Sequence, residues 1–334
     1  MKELKGKKIL ITGGTGSLGQ ALTKRLLESD VEVIRIFSRN ENKQVVMQSK
    51  FQNNDKLRFL IGDIRDYNRL IRALEDIDIV FHAAALKHVP VIEYNPFEAI
   101  NTNVLGSRNV VEACLNEDVE IAVGVGTDKA VSPLNTYGAT KLLMEKLFVT
   151  ASNYLDEKRH KTKFLALRYG NVLGSSGSVI PKFIEQIKLK QKITITNSKM
   201  TRFSITMDDA LDFILSSTFF SKGSEVFIPK LKAYNIDLLK SSLQEILEDT
   251  GEQNIPVRQG EKYHETLINN DELRTTWEND SRYMILQKDI PNEEIKEKYP
   301  DMKKTLLNSP YSSDKVDLLD KKILKDLIIR SNLI

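Results

Sequence analysis

The chain has 334 residues, with 49 Lys and Arg against 46 Asp and Glu and a net charge of +3. That length accommodates a large core and two lobes, and the near balance of charge gives no nucleic-acid signature. Cys114 is the single cysteine, which excludes an internal disulfide and a cysteine-based metal site.

Lys8-Ile-Leu-Ile-Thr12 reads as a buried strand, and Thr12-Gly13-Gly14-Thr15-Gly16-Ser17-Leu18-Gly19 follows it directly. Residues 20 to 27 continue with helical character. Glycines between a strand and a helix allow a tight turn and let backbone approach a pyrophosphate at the helix N-terminus. The spacing Gly13, Gly16, Gly19 is wider than the commonest dinucleotide fingerprint. A second strand over 32–37 ends in Ser38-Arg39-Asn40-Glu41-Asn42-Lys43. An acidic residue at that strand end would bind a ribose 2′-hydroxyl and repel a 2′-phosphate. Ser38 and Arg39 stand there, with Lys43 one turn on, which favours NADP over NAD. A solvated, mixed-charge helix start gives the same letters.

Further strands follow over 57–61, 77–81, 120–125 and 164–168, each leading into a polar or small-residue turn. Alternation of strands and helices predicts a doubly wound parallel α/β sheet, a Rossmann fold, with chemistry at the carboxyl ends of its strands. Asp63 suits the adenine amine or a plain turn, and Ala83 to Ala85 suit close passage of a cofactor. After Asn171 the pattern breaks into shorter segments, as a substrate lobe would. The expected organisation is a dinucleotide domain over 1–170, completed by about 200–224. A substrate lobe takes 171–199 and 225–288, and a charged helical tail takes 289–334. No apolar run reaches the roughly 20 residues that span a bilayer. Lys2, Lys5, Lys7 and Lys8 lead into too short an apolar run for a secretory signal. A cytoplasmic protein is expected.

Tyr137 and Lys141 are four residues apart and so share one helix face. The Lys141 ammonium is expected to favour the phenolate of Tyr137, whose ordinary pKa of about 10 is too high for a base near neutrality. Such a phenol takes a hydroxyl proton while a nicotinamide takes the hydride. An exposed Tyr and Lys on an amphipathic helix have the same spacing; the glycine-rich motif upstream decides for chemistry. Asp128-Lys129, at the end of the strand over 120–125, offers a further acid and base. Lys129 must be partly neutral to act as a base, and burial near Lys87, Lys141 or a cationic nicotinamide is expected to lower its pKa. His82, His88, His160 and His264 form no metal-spaced set, so no metal is assigned.

With these motifs in place, the chain resembles the extended short-chain dehydrogenase/reductases, and within them the inverting UDP-N-acetylglucosamine 4,6-dehydratases. Besides the glycine-rich run, the resemblance rests on Ser38-Arg-Asn-Glu41, His82-Ala-Ala-Ala-Leu-Lys-His-Val-Pro90, Glu93-Tyr-Asn-Pro96 and Thr102-Asn-Val-Leu-Gly106. It continues through Thr127-Asp-Lys-Ala130, Tyr137-Gly-Ala-Thr-Lys141, Arg168-Tyr-Gly-Asn171, Gly177-Ser-Val-Ile-Pro181, Met200-Thr-Arg-Phe203 and Gly260-Glu-Lys-Tyr-His-Glu265. These motifs cover roughly residues 5 to 286 and leave the tail outside. Three positions depart from the family: Gly126 replaces a usual serine, Ser176 a Ser-Arg-Gly run, and Ser204 a usual tryptophan.

The resemblance implies Thr127, Asp128, Lys129, Tyr137 and Lys141 as the reacting group. It implies an NADP site of Gly13, Thr15, Gly16, Ser17, Leu18, Gly19, Ser38, Arg39, Asn40, Lys43, Asp63, Ile64, Ala83, Ala84, Lys87 and Val172, with Tyr137 and Lys141. UDP-N-acetylglucosamine would meet Lys87, Thr102, Asn103, Asn171, Gly177, Ser178 and Val179. Arg202 and Arg258 would take the diphosphate and Glu261 the ribose. The implied assembly is a homo-oligomer, dimer or hexamer. Rivals are a retaining dehydratase, a 4-epimerase, and a regulatory protein that binds NADPH without turnover.

Overall fold

Short apolar runs set the strands. In the computed structural model, which describes residues 2–154, 160–175, 177–331 and 333–334, β1 is Lys8–Thr12, β2 Val33–Ser38 and β3 Leu57–Ile61. They are followed by β4 Ile79–His82, β5 Ile121–Val125 and β6 Lys163–Leu167. All six pair in parallel in the order β6-β5-β4-β1-β2-β3. Parallel strands are covered on both faces, which is why they read as continuous apolar runs. Ile9 and Ile11 face one core with Leu22 and Leu26 of the helix α1, Ser17–Leu27. Leu10 faces the other core with Val110, Met144 and Phe148 from the helices Gly106–Asn116 and Thr136–Thr150. The order reverses between β1 and β4, the switch point beyond whose carboxyl ends ligands bind in such sheets.

The expected lobe boundary differs from the structure. Val226–Pro229 pairs in parallel with β6, and Arg282–Ile285, Thr276–Glu278 and Lys303–Lys304 extend the same sheet antiparallel, to ten strands. Much of 225–288 therefore belongs to the main sheet. Phe227 and Ile228 are fully buried, as an interior strand requires; their brevity made them resemble lobe segments. The separate lobe has a small sheet of Asn171–Val172, Thr201–Ile205 and Lys232–Asn235. Its own core gathers Ile180, Phe183 and Ile184 with Leu239 and Leu243.

The tail is also more than helical. Alongside the helices Asn292–Lys298 and Lys321–Arg330 it supplies Lys303–Lys304 to the main sheet, and Tyr311–Ser312 pairs with Thr266–Ile268. Leu324 and Ile328 are buried in the lobe core. A charged surface with a narrow apolar stripe concealed this packing.

Arg168, one residue past β6, ties these parts together. Its Nε and Nη2 each donate to Glu145 at 2.6 Å. Nη2 and Nη1 donate to Glu272 at 2.6 and 2.9 Å, and Nη1 also reaches the Leu267 carbonyl at 3.1 Å. Arg168 is 1% exposed and Glu145 is fully buried. Removing one partner of a buried ion pair strands the others without compensation. Arg168→Met should therefore cost about 3–5 kcal/mol, read as a lower urea midpoint at unchanged slope.

Candidate functional site

One cleft of about 1310 Å³ opens at the carboxyl ends of β1, β4 and β5 and runs into the smaller lobe. Every residue expected at the cofactor lines it, from Gly13 through Val172. Gly13 has φ +66°, and a β-carbon there would lie 2.8 Å from Ala84 Cα and N, so only glycine lets these turns meet. α1 begins beyond Gly16 with no side-chain cap and no acidic residue in its first turn. Its free N–H groups are thus left for an anion. This cradle fits a dinucleotide pyrophosphate.

Beneath the cradle runs a buried chain of hydrogen bonds. Ala84 N donates to Thr12 Oγ1 at 3.3 Å, and that oxygen lies 2.8 Å from His82 Nδ1. His82 Nε2 lies 2.9 Å from Ser107 Oγ, which donates to the Asn103 carbonyl at 2.6 Å. The direction of the chain assigns the proton of a neutral imidazole to Nε2. Burial, helped by nearby Lys141, pushes His82 down to about 3.

At the expected 2′-phosphate position the four residues divide by role. Ser38 Oγ accepts from Gln44 at 3.0 Å, and Asn40 caps the next helix, Glu41–Lys50, by accepting from Lys43 N at 2.8 Å. Arg39 is half exposed over the cleft, 3.8 Å from Asp63. Asp63 accepts three bonds from Arg65, at 2.7 to 3.0 Å, rather than presenting free oxygens.

The helix Thr136–Thr150 starts at Asn135, whose side chain accepts from Gly138 N at 2.8 Å, and brings Tyr137 and Lys141 to the cleft. The expected pairing of these two is corrected. Lys141 Nζ donates to the Val125 carbonyl at 2.6 Å, and burial lowers it to about 7. Burial raises Tyr137 to about 12, opposed by the Lys129 cation and by a hydrogen bond with Thr127.

Lys129 is corrected too. Its Nζ lies 3.1 Å from Asp128 Oδ1 and 3.2 Å from Glu265 Oε1. Burial lowers its pKa, but the two carboxylates outweigh that and hold it above the ordinary range. Burial pushes Asp128 up, against Lys129, while Lys129, Arg202 and Lys262 overcome burial at Glu265 and hold it low. Thr127 Oγ1 donates to Asp128 Oδ1 at 2.9 Å. Asp128 itself is 1% exposed behind Thr127 and Lys129, which face the cleft.

Among the substrate residues, Thr102, Asn171, Gly177, Ser178, Val179, Arg202, Arg258 and Glu261 line the cleft, as does Lys87. Thr102 lies on a π-helical turn, Ile100–Leu105, and its buried Oγ1, like Ser178 Oγ, has no hydrogen-bond partner among the described residues. Asn103 does not line the cleft. Its side chain binds the Leu86 N–H and carbonyl at 2.8 and 2.9 Å and Thr140 at 3.0 Å, so it braces the loop that carries Lys87. Arg202 is pre-oriented by the Thr201 and Tyr263 carbonyls at 2.8 and 3.0 Å and lies 3.3 Å from Glu261. A β-carbon at Gly126 would lie 2.3 Å from the Leu167 carbonyl, so the family serine has no room here. Ser176 lies outside the described residues. Sequence reasoning missed Glu265, Lys262, Lys182 and Tyr169, all at the cleft. Only the 260–265 motif pointed towards the first two.

A family model described as "Polysaccharide biosynthesis protein" matches residues 9–287. The chain belongs to this family. It is 47% identical over 282 residues, 84% of this chain and 83% of the other, to a Campylobacter jejuni protein named UDP-N-acetylglucosamine 4,6-dehydratase (inverting). A Rickettsia bellii protein named UDP-glucose 4-epimerase is 40% identical over 328 residues, 97% of this chain and 95% of its own. Among solved structures, Pen from Bacillus thuringiensis superposes with a TM-score of 0.91 at 37% identity, covering 99% of both chains. The last two similarities take in the tail that the sequence motifs left outside.

His82 also sets a pH dependence. Its folded pKa lies below the unfolded value of about 6.5, so the unfolded chain binds the extra proton and stability falls as pH drops below that value. Between pH 6.5 and 5 the loss from this residue should be about 2 kcal/mol, and His82→Gln should flatten that part of a urea-midpoint profile.

Proposed function

We propose that this protein dehydrates UDP-N-acetylglucosamine to a 4-keto-6-deoxy sugar nucleotide with inversion at C5, using NADP. The observation that carries this reading is Lys129 in one cleft with Tyr137, paired from behind with Asp128 at 3.1 Å. Bound NADP would supply the acceptor for the C4 hydride and its donor to C6.

Tyr137 receives the O4 proton as a phenolate, a form that burial opposes and that Lys129 and a hydrogen bond with Thr127 favour. The ketone at C4 acidifies the C5 proton, which Lys129 takes. Asp128, pushed up by burial, serves as the acid for the departing C6 hydroxyl. Arg39 and Lys43 hold the 2′-phosphate, and Arg202 and Arg258 the substrate diphosphate, by charge-assisted hydrogen bonds. A homo-oligomer is supported by exposed Val91, Tyr94 and Phe97 on two consecutive short helices.

The near full-length similarity to the Rickettsia protein favours a second reading, a UDP-hexose 4-epimerase. Epimerisation needs the tyrosine and rotation of the substrate, and gives Asp128 and Lys129 no work. The product decides. Incubation with UDP-N-acetylglucosamine in deuterated water should yield a 4-keto-6-deoxy sugar with deuterium at an inverted C5; a C4 epimer that retains its C6 oxygen would overturn the dehydratase.

Three variants probe the roles separately. Tyr137→Phe should abolish C4 oxidation, seen as no rise of reduced-nicotinamide absorbance in a single turnover. Lys129→Ala should keep part of that rise, slowed by loss of the cation that faces Tyr137, while elimination slows by a further factor of about 10²–10⁴. Arg39→Asp should shift cofactor preference towards NAD, measured as the ratio of kcat/KM values for the two dinucleotides in C4 oxidation.

A further inference from the structure

Glu265 has no part in the mechanism above, although it lines the cleft and is 3% exposed. Its Oε1 lies 3.2 Å from Lys129 Nζ, on which Asp128 Oδ1 also converges at 3.1 Å. One ammonium thus faces two buried carboxyl groups, and Asp128 Oδ2 and Glu265 Oε2 each lack a hydrogen-bond partner among the described residues. A lysine held as an ammonium cannot accept a proton from carbon; it must first give one away. The neighbours able to take it are these two acids. Burial pushes Asp128 up, towards the acid form that the C6 hydroxyl needs, while Lys129, Arg202 and Lys262 hold Glu265 low. With Asp128 engaged at C6, Glu265 is the remaining acceptor at 3.2 Å.

We propose that Glu265 is the group that discharges Lys129, accepting its proton so that the free amine can take the proton from C5. The inference rests on the dehydratase reading and gives Glu265 a role through Lys129 rather than on the sugar. The protons balance. Lys129 starts as ammonium, Glu265 as carboxylate, Asp128 as acid and Tyr137 as phenolate, and the Nζ proton passes to Oε1. The C5–H bond then breaks towards Nζ, its electron pair forms the C5–C6 double bond, and the C6–O bond breaks. The departing hydroxyl leaves as water with the Asp128 proton. Lys129 is again ammonium, Glu265 holds its former proton, and Tyr137 holds the one from O4. When C5 takes a proton back as the hydride reaches C6, the other surplus proton restores Asp128.

The surroundings of Glu265 are built to fix it. Its N–H donates to Ser313 Oγ at 2.9 Å, and Ser313 N donates back to its carbonyl at 2.8 Å. Ser313 Oγ lies 2.7 Å from Thr201 Oγ1, which in turn lies 2.8 Å from His264 Nδ1. The tail thereby clamps the backbone that carries this carboxylate, while leaving its side-chain oxygens to Lys129 and the cleft.

The test is single turnover of UDP-N-acetylglucosamine in deuterated water by wild type, Glu265→Gln and Glu265→Asp, following reduced nicotinamide and C5 deuterium together. Glu265→Gln, nearly isosteric and with its backbone bonds intact, should reduce the nicotinamide within a few-fold of the wild-type rate. Water loss and C5 deuteration should fall by about 10²–10⁴-fold, and Glu265→Asp should recover at least about tenfold of that loss. Normal product formation by Glu265→Gln would overturn the inference. So would an equal loss of both steps, which marks a packing role. A wild-type enzyme that releases no water from this substrate would remove the dehydratase reading itself, and the inference with it; a dehydrating wild type with an indifferent Glu265→Gln overturns the inference alone.

Discussion

The guanidinium of Arg168 is the constraint on which the reacting geometry depends. It emerges at the carboxyl end of β6 and holds Glu145 of the helix Thr136–Thr150 and Glu272 of the turn before Thr276–Glu278. That helix carries Tyr137 and Lys141 to the cleft, with Glu145 one turn below Lys141. Buried ion pairs add little net stability, because desolvation consumes most of their Coulombic gain. What this one provides is direction. A bidentate fork fixes the rotation of the helix about its axis, and hence the depth at which the tyrosine meets a ligand.

Charge is then partitioned along the cleft floor. On one side Lys141, beside neutral His82, is lowered by burial to about 7 and bound to a carbonyl. On the other, Lys129 lies between two acids and stays an ammonium. The positive charge that favours the Tyr137 phenolate comes from Lys129 at the strand end. The two lysines, alike in the sequence, differ because one faces a neutral dipole and the other faces carboxylates.

Much of this was legible in the chain. β1 to β6 showed as apolar runs because both faces of a parallel sheet are buried, and the glycine-rich turn and the Tyr137/Lys141 spacing are local features. Features set by distant partners were not legible. Lys129 was expected to be partly neutral because Glu265, far along the chain, does not announce that it faces the same amine. Asn103 looked like a ligand for a sugar, but its amide matches the backbone of Leu86, a pairing only tertiary structure supplies. The strand Val226–Pro229 was placed in the lobe because four buried residues read alike in either setting.

The clamp of Ser313 on Glu265 also bears on the order in which the enzyme is made. Chains fold largely as they emerge, N-terminal domain first. The six parallel strands, the glycine cradle and the tyrosine helix are all present in a nascent chain once residue 167 is out. The carboxylate beside Lys129 is not held until Tyr311–Ser312 has paired with Thr266–Ile268 and Ser313 has closed on residue 265. The residues that cradle a dinucleotide thus precede along the chain those that hold the acid–base cluster, so synthesis delivers the first before the second.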